Sequence, residues 1–264
     1  MTQITGKVRR EWVDSSEFHP LTNVEVLRNV HTGIEGETKR GSTPVLLLDL
    51  DSTLYHVESR SHQIIREWID APESREHASV RERLKSLLPE HLGYSLTDTL
   101  TKFGVSVMDP AVESALKSMY KFWGRRFFTN EYLAYDRAYP GAPEFVQAAY
   151  ELGAEIVYLT GRDEPGMGKG THARLVADRF PIDRPRTRLL LKKSFELDDL
   201  EHKSAAADVV KKLGSLVASF ENEPPNLIAL SDIFPAAMHV FVDTVMSDRP
   251  ARPRAGLYRI TGFE

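Results

Sequence analysis

Cysteine is missing from all 264 residues of the chain. Disulfides, thiol nucleophiles and zinc–thiolate centres are excluded with it. No apolar run approaches the length of a membrane span, and Met1-Thr2-Gln3-Ile4 opens no apolar signal core. A soluble cytoplasmic protein without a membrane partner is therefore expected. Positive charge is in deficit: the formal net charge is −4, whereas a nucleic-acid binder would usually be basic, so no nucleic-acid partner is expected. Several catalytic signatures are missing as well. HExxH does not occur and the nine histidines do not cluster, which argues against a histidine zinc site. Gly166-Met167-Gly168-Lys169-Gly170-Thr171 lacks the GxxxxGK[ST] spacing of a phosphate loop and reads as a flexible loop running into a helix. There is no GxSxG nucleophile elbow.

What the chain does have is a sizeable apolar fraction, 41% hydrophobic against 27% charged residues. That suits one large domain, or a domain carrying an inserted module. The pattern centres on Val45-Leu46-Leu47-Leu48-Asp49-Leu50-Asp51-Ser52-Thr53. An unbroken apolar run after Gly41 and Pro44 predicts a central strand covered on both faces. It ends in two carboxylates one residue apart. Burying such a pair costs several kcal/mol unless a cation compensates it, and ligands of α/β sheets collect at the carboxyl ends of strands.

Beyond Thr53 the helical period takes over. Ile64, Ile65, Trp68 and Ile69 form one stripe, Val80, Leu84, Leu87 and Leu88 a second, and Leu96, Leu100 and Phe103 a third. Asp109-Pro110 reads as the N-cap and first residue of a longer helix bearing Val112, Leu116, Met119, Tyr120 and Trp123 on one face. Its end, Phe122 to Phe128, mixes aromatics with Arg125 and Arg126 and reads as a core stripe with a charged back. No segment between residues 56 and 137 reads as a strand. From Pro140 onward strands alternate with helices: Glu155–Leu159, Arg188–Leu191, Leu216–Phe220 and His239–Val242, with helices around Thr171–Phe180 and from Lys203 to Leu213. That rhythm predicts right-handed βαβ units and a parallel sheet. The expected organisation is an N-terminal extension over 1–40, an α/β core over 41–55 and 138–264, and a helical insertion over 56–137. Within the extension, Asn23 to Leu27 is a candidate packed element.

Asp49-Leu50-Asp51-Ser52-Thr53 resembles the first motif, DxDx[T/V], of the haloacid dehalogenase-like (HAD) phosphohydrolases. Leu159-Thr160-Gly161-Arg162 resembles the second motif, a strand closing on a hydroxyl and a glycine. Lys203 fits the place of the third, with Lys192 and Lys193 as rivals. Phe220-Glu221-Asn222-Glu223 stands where the fourth falls, with Glu in place of the family's usual Asp. The resemblance covers residues 44–53 and about 136–243, and the insertion matches the family's C1 helical cap in position only.

The resemblance implies a three-layer Rossmann-like core with strand order 5-4-1-2-3 and a Mg²⁺-dependent phosphohydrolase acting on a phosphorylated small molecule. It implies Asp49 as nucleophile, giving an aspartyl-phosphate, and Asp51 as acid and then base. Mg²⁺ would be held by the Asp49 carboxylate, the Asp51 backbone carbonyl and Glu221, with Asn222 or Glu223 in support. Thr160, Gly161 and Lys203 would meet the phosphoryl oxygens. None of these residues lies between 56 and 137, so the insertion is expected to govern which substrate enters. A phosphotransferase or phosphomutase, a dehalogenase, and a non-catalytic module binding a phosphorylated ligand are the competing readings. The intact Asp49/Asp51 pair argues against the last two.

Overall fold

A computed structural model describes residues 7–264. Two helices come first, α1 (Lys7–Val13) and α2 (Asn23–Lys39), then strand β1 (Pro44–Leu48). A two-residue strand, β2 (Tyr55–His56), leads into α3 (Glu58–Asp70), α4 (Ala78–Leu84), α5 (Leu96–Lys102) and α6 (Pro110–Phe127). The chain returns through β3 (Arg137–Ala138) and then alternates. In order come α7 (Ala142–Glu151), β4 (Glu155–Asp163), α8 (Glu164–Ala177), β5 (Thr187–Lys192), α9 (Asp199–Ala205) and α10 (Ala207–Leu213). The last elements are β6 (Ser215–Glu221), α11 (Pro224–Ile233), β7 (Met238–Val242) and β8 (Tyr258–Ile260). No helix among the described residues is long and apolar enough to cross a membrane.

Six strands form one parallel sheet in the order β5-β4-β1-β6-β7-β8. The first five strands of the repeat thus stand in the expected 5-4-1-2-3 order, with the Asp49 strand inside. β8 adds a sixth at the edge, too short at three residues to show a period in sequence. Every residue of β1 is buried, and its side chains divide by the two-residue period of a strand. Leu46 and Leu48 join Val30 and Ile34 of α2 and Val146 of α7 on one face. Val45 and Leu47 join Val210 of α10 and Leu230 of α11 on the other. The result is a three-layer α/β architecture of Rossmann type.

Helices α1 and α2, within residues 7–40, belong to this packing. Thr22 caps α2, and Glu25 reaches back to the Thr22 N–H at 2.8 Å, a capping box that satisfies two otherwise orphaned donors. Trp12 of α1 is fully buried against Phe241 and Leu227, and its indole N–H donates to the Ala251 carbonyl at 3.0 Å.

Three expectations are corrected. Residues 166–171 are helix, since Asp163 caps α8 by accepting from the Gly166 N–H at 2.7 Å and Pro165 stands in its first turn. The glycines reflect close packing: a Cβ on Gly170 would lie 2.4 Å from the Asn130 carbonyl oxygen. The helix placed from Lys203 begins at Asp199, capped by Asp198, and is divided at Ala206. Lys203 therefore sits in the last turn of α9, where a helix dipole favours a cation. Lastly, β2 and β3 pair antiparallel, Tyr55 with Ala138 and His56 with Arg137, closing the base of the insertion. Above that ribbon the insertion is helical and holds its own core, with Trp68, Leu100 and Met119 at its centre.

β6 and β7 are tied by a buried polar pair. His239 donates from Nε2 to the Phe234 carbonyl at 2.9 Å, which leaves Nδ1 to accept from the Ser219 hydroxyl at 2.8 Å. Burial pushes this imidazole below its ordinary value of 6.5. A folded-state value below the unfolded one gives stability that is present above about pH 6.5 and is lost as pH falls through the folded value. Urea unfolding at about pH 7.5 and pH 5.5 should therefore show a smaller acid loss in His239→Gln than in the native sequence.

Candidate active site

At the carboxyl edge of the sheet the backbone of Asp49 continues the ladder, its N–H donating to the Phe220 carbonyl at 3.1 Å. Its carboxylate thereby stands beside Glu221, the last residue of β6. Both are buried. Lys203 reaches in from α9 and donates to Asp49 Oδ1 and Glu221 Oε2, each at 2.6 Å. One ammonium against two buried acids leaves negative charge in excess. Burial, and then the Glu221 charge, push Asp49 up to about 7 despite Lys203. Burial likewise raises Glu221, and raises Glu223. Glu223 turns away to accept from the Ser247 N–H at 2.9 Å and from its hydroxyl, and Asn222 accepts from Thr53 Oγ1 at 3.2 Å.

Asp51 lives in a different environment. Its Oδ1 accepts from Arg162 Nε at 2.9 Å and also from Arg162 Nη2, while Arg60 Nη2 approaches at 3.3 Å. Asp136 completes the set, taking Arg60 Nε at 2.8 Å and Nη2 at 2.7 Å, and Arg162 Nη2 at 2.7 Å. Two acids and two guanidiniums close into a charge-balanced ring. Burial pushes Asp51 up, but Arg162 and Arg60 together outweigh it and hold the carboxyl down at about 2. Arg60 comes from α3 and Asp136 from just before β3, so the insertion does contribute to this site. The residues expected to carry the chemistry all lay outside 56–137, and Arg60 and Asp136 were not among them. Arg162 was legible as the last residue of the second motif. Arg60 and Asp136 carried no local pattern, because each is identified only by a partner far along the chain.

Of the three lysines considered, Lys203 alone lines the cavity over these groups. Lys192 is turned inward to hold a loop, donating to the carbonyls of Phe195 at 3.2 Å and Leu197 at 2.8 Å and to Asp199 Oδ1 at 2.8 Å. Gly161 is in the cavity wall. A Cβ there would lie 2.6 Å from Asp199 Oδ2, so any larger residue would have to displace that carboxylate. Thr160 is buried beneath it, its hydroxyl accepting from the Arg162 N–H at 3.3 Å, and does not line the cavity.

Among the described residues no three His, Cys, Asp or Glu side chains group as a ready metal site. The donor chemistry nonetheless fits a hard divalent cation. Asp49 and Glu221 offer carboxylate oxygens at one point, where a single ammonium, Lys203, stands against the two acids.

No protein-family model matches the sequence, and no curated protein matches it. Solved structures with a similar backbone do exist. A candidate phosphatase from Clostridium difficile is 15% identical, with a TM-score of 0.48 over 83% of this chain and 94% of that one. A predicted phosphoglycolate phosphatase from Haemophilus somnus is 14% identical, with a TM-score of 0.47 over 84% and 95%. A dehalogenase is 18% identical, with a TM-score of 0.45 over 83% and 92%. The chemistry of the site is read from this chain's own residues.

Removing one member of the charge ring leaves a buried charge without its partner. Arg162→Met should therefore destabilise the fold by roughly 3–5 kcal/mol. Adding Asp136→Asn should cost less than the sum of the two single changes, because the two residues share one network. Denaturant unfolding of the three variants measures both quantities.

Proposed function

We propose that the chain is a HAD-like phosphohydrolase, a Mg²⁺-dependent phosphatase that acts on a phosphorylated small molecule through an aspartyl-phosphate on Asp49. The observation that carries this reading is the Asp49–Lys203–Glu221 arrangement at the ends of β1 and β6. It opens into a cavity of 410 Å³, within the range that encloses small ligands. Mg²⁺ would be held by the Asp49 carboxylate, the Asp51 backbone carbonyl and Glu221, and when bound supplies charge neutralisation for the phosphoryl group.

The protein's own groups do the rest. Asp49 forms a bond from one carboxylate oxygen to phosphorus as the ester P–O bond breaks. The departing oxygen takes the proton that Asp51 gained in the previous turnover or, where Asp51 is ionised, one from solvent water. Water then adds to phosphorus and passes a proton to Asp51. The bond to Asp49 breaks, restoring its carboxylate and releasing inorganic phosphate. Arg162 and Arg60 keep Asp51 ionised, which suits it to accepting that proton. The same pairing makes it a reluctant donor in the first half-reaction, so esters with good leaving groups should phosphorylate the enzyme most readily. Lys203 is placed to offset phosphoryl charge beside Asp49, and Gly161 forms the adjoining wall. Trp123 and Phe127 of the insertion line the cavity and exclude water from the first step.

Released phosphate should require Mg²⁺ and vanish in excess chelator. Asp49→Asn should abolish turnover and give no covalent phosphate by intact-protein mass spectrometry. Asp51→Asn should instead accumulate phospho-enzyme when supplied an ester with a good leaving group. A covalent phosphate on Asp49→Asn protein would sink the nucleophile assignment.

A further inference from the structure

The far side of the cavity, away from Asp49, is built from the insertion. Trp123 donates its indole N–H to Ser61 Oγ at 3.0 Å, so its polar edge is spent and its ring presents an apolar surface. Phe127 stacks on it at 4.1 Å between centroids, and Phe128 meets it edge-on at 5.5 Å. Arg60 lies 4.2 Å over the Phe127 ring and fixes that ring from behind. Tyr94, Leu96 and Tyr120 continue the same wall.

The charges facing the cavity are unequal. Six acids line it, Asp49, Asp51, Glu58, Asp199, Glu221 and Glu223. Lys203 and Arg162 are the cations in its wall, with Arg60 behind Asp51 and Lys192 behind Asp199, so among the described residues Glu58 and Glu223 have no Lys or Arg partner. Both wall cations are committed, Lys203 to Asp49 and Glu221, Arg162 to Asp51 and Asp136. Glu58 Oε2 and Asn226 Oδ1 are buried acceptors without a hydrogen-bond donor. The His56 ring nitrogen stands 3.7 Å from Glu58 Oε2, beyond hydrogen-bond reach. A second cavity beyond Tyr94 carries Arg9 and Lys102. These too are engaged, Arg9 with Asp243 at 2.8 Å and Lys102 with the Leu92 carbonyl at 3.3 Å. Within the cavity wall a carboxylate or second phosphate on the leaving group would meet acids and unpaired acceptors, and the two cations in that wall are already paired.

Resting on the phosphohydrolase reading and specifying its substrate, we infer that the site takes phosphomonoesters whose alcohol half is apolar or aromatic and carries no second negative charge. The aromatic wall supplies area for a ring or alkyl chain, and the acidic lining rejects doubly anionic esters. Such discrimination works by repulsion as much as by attraction.

Phenethyl phosphate and phosphoglycolate test this directly, since both are alkyl esters and differ chiefly in a phenyl ring against a carboxylate. With Mg²⁺ present, kcat/KM should favour phenethyl phosphate by roughly tenfold or more. Trp123→Leu should erode that preference severalfold. Tyr94→Ala, at a half-exposed position of the same wall, should erode it less. Equal or faster turnover of phosphoglycolate would overturn the substrate class and leave the phosphatase standing. Phosphate release from neither ester would overturn the phosphatase instead. Calorimetric titration of the protein with each ester and Mg²⁺ then decides the class: tighter binding of phenethyl phosphate sustains it, and equal or weaker binding overturns it.

Discussion

A single ammonium between two buried carboxylates is the constraint on which the site depends. Lys203 joins the end of β1, the end of β6 and the last turn of α9 through two contacts of 2.6 Å each. Neither acid could stay charged at that depth without it. The arrangement also leaves negative charge unmatched, one ammonium against two acids, which favours a further cation. Stability and reactivity are drawn from the same imbalance.

Asp51 shows the opposite solution two residues along the chain. There the acids and guanidiniums match two for two, and the group is held ionised. Neighbouring carboxylates on one strand end thus have values pushed apart by their surroundings, a pattern that separates chemical roles. Because Arg60 and Asp136 flank the β2–β3 ribbon, the electrostatics of Asp51 are set at the junction of insertion and core. The ion pairs of Asp51 therefore join the insertion to the core.

The core was legible because its signals are local. An unbroken apolar run gave β1, alternation gave the parallel order, and the Asp109-Pro110 cap gave the start of α6, where Asp109 accepts from the Ala111 N–H at 2.9 Å. The two strand-end acids and the Lys203 position could be read from order along the chain. The failures share a cause. The first half of α8 looked like a loop because of its glycines, of which Gly170 answers to packing against Asn130 and not to backbone propensity. β8 is three residues long and is stabilised by its register with β7. Thr22 and Glu25 do carry a capping signature, and α2 could have been found from it. Arg60 and Asp136 could not, since an ion pair across 76 residues leaves no mark on either neighbourhood.

The ring of Asp51, Arg60, Asp136 and Arg162 has a consequence for how such a protein changes over generations. Its members come from four separate segments, and breaking a buried pair costs about 3–5 kcal/mol, a large share of the 5–15 kcal/mol that keeps a typical domain folded. No member is free to drift alone, because each single replacement passes through an uncompensated charge. Exchange at these four positions has to be concerted, or to wait for stability gained elsewhere. The aromatic wall carries no such debt, since swapping one apolar side chain for another of similar volume costs less than about 1.5 kcal/mol. Ligand preference can therefore wander among descendants of this chain while the ring beneath it is inherited as a block.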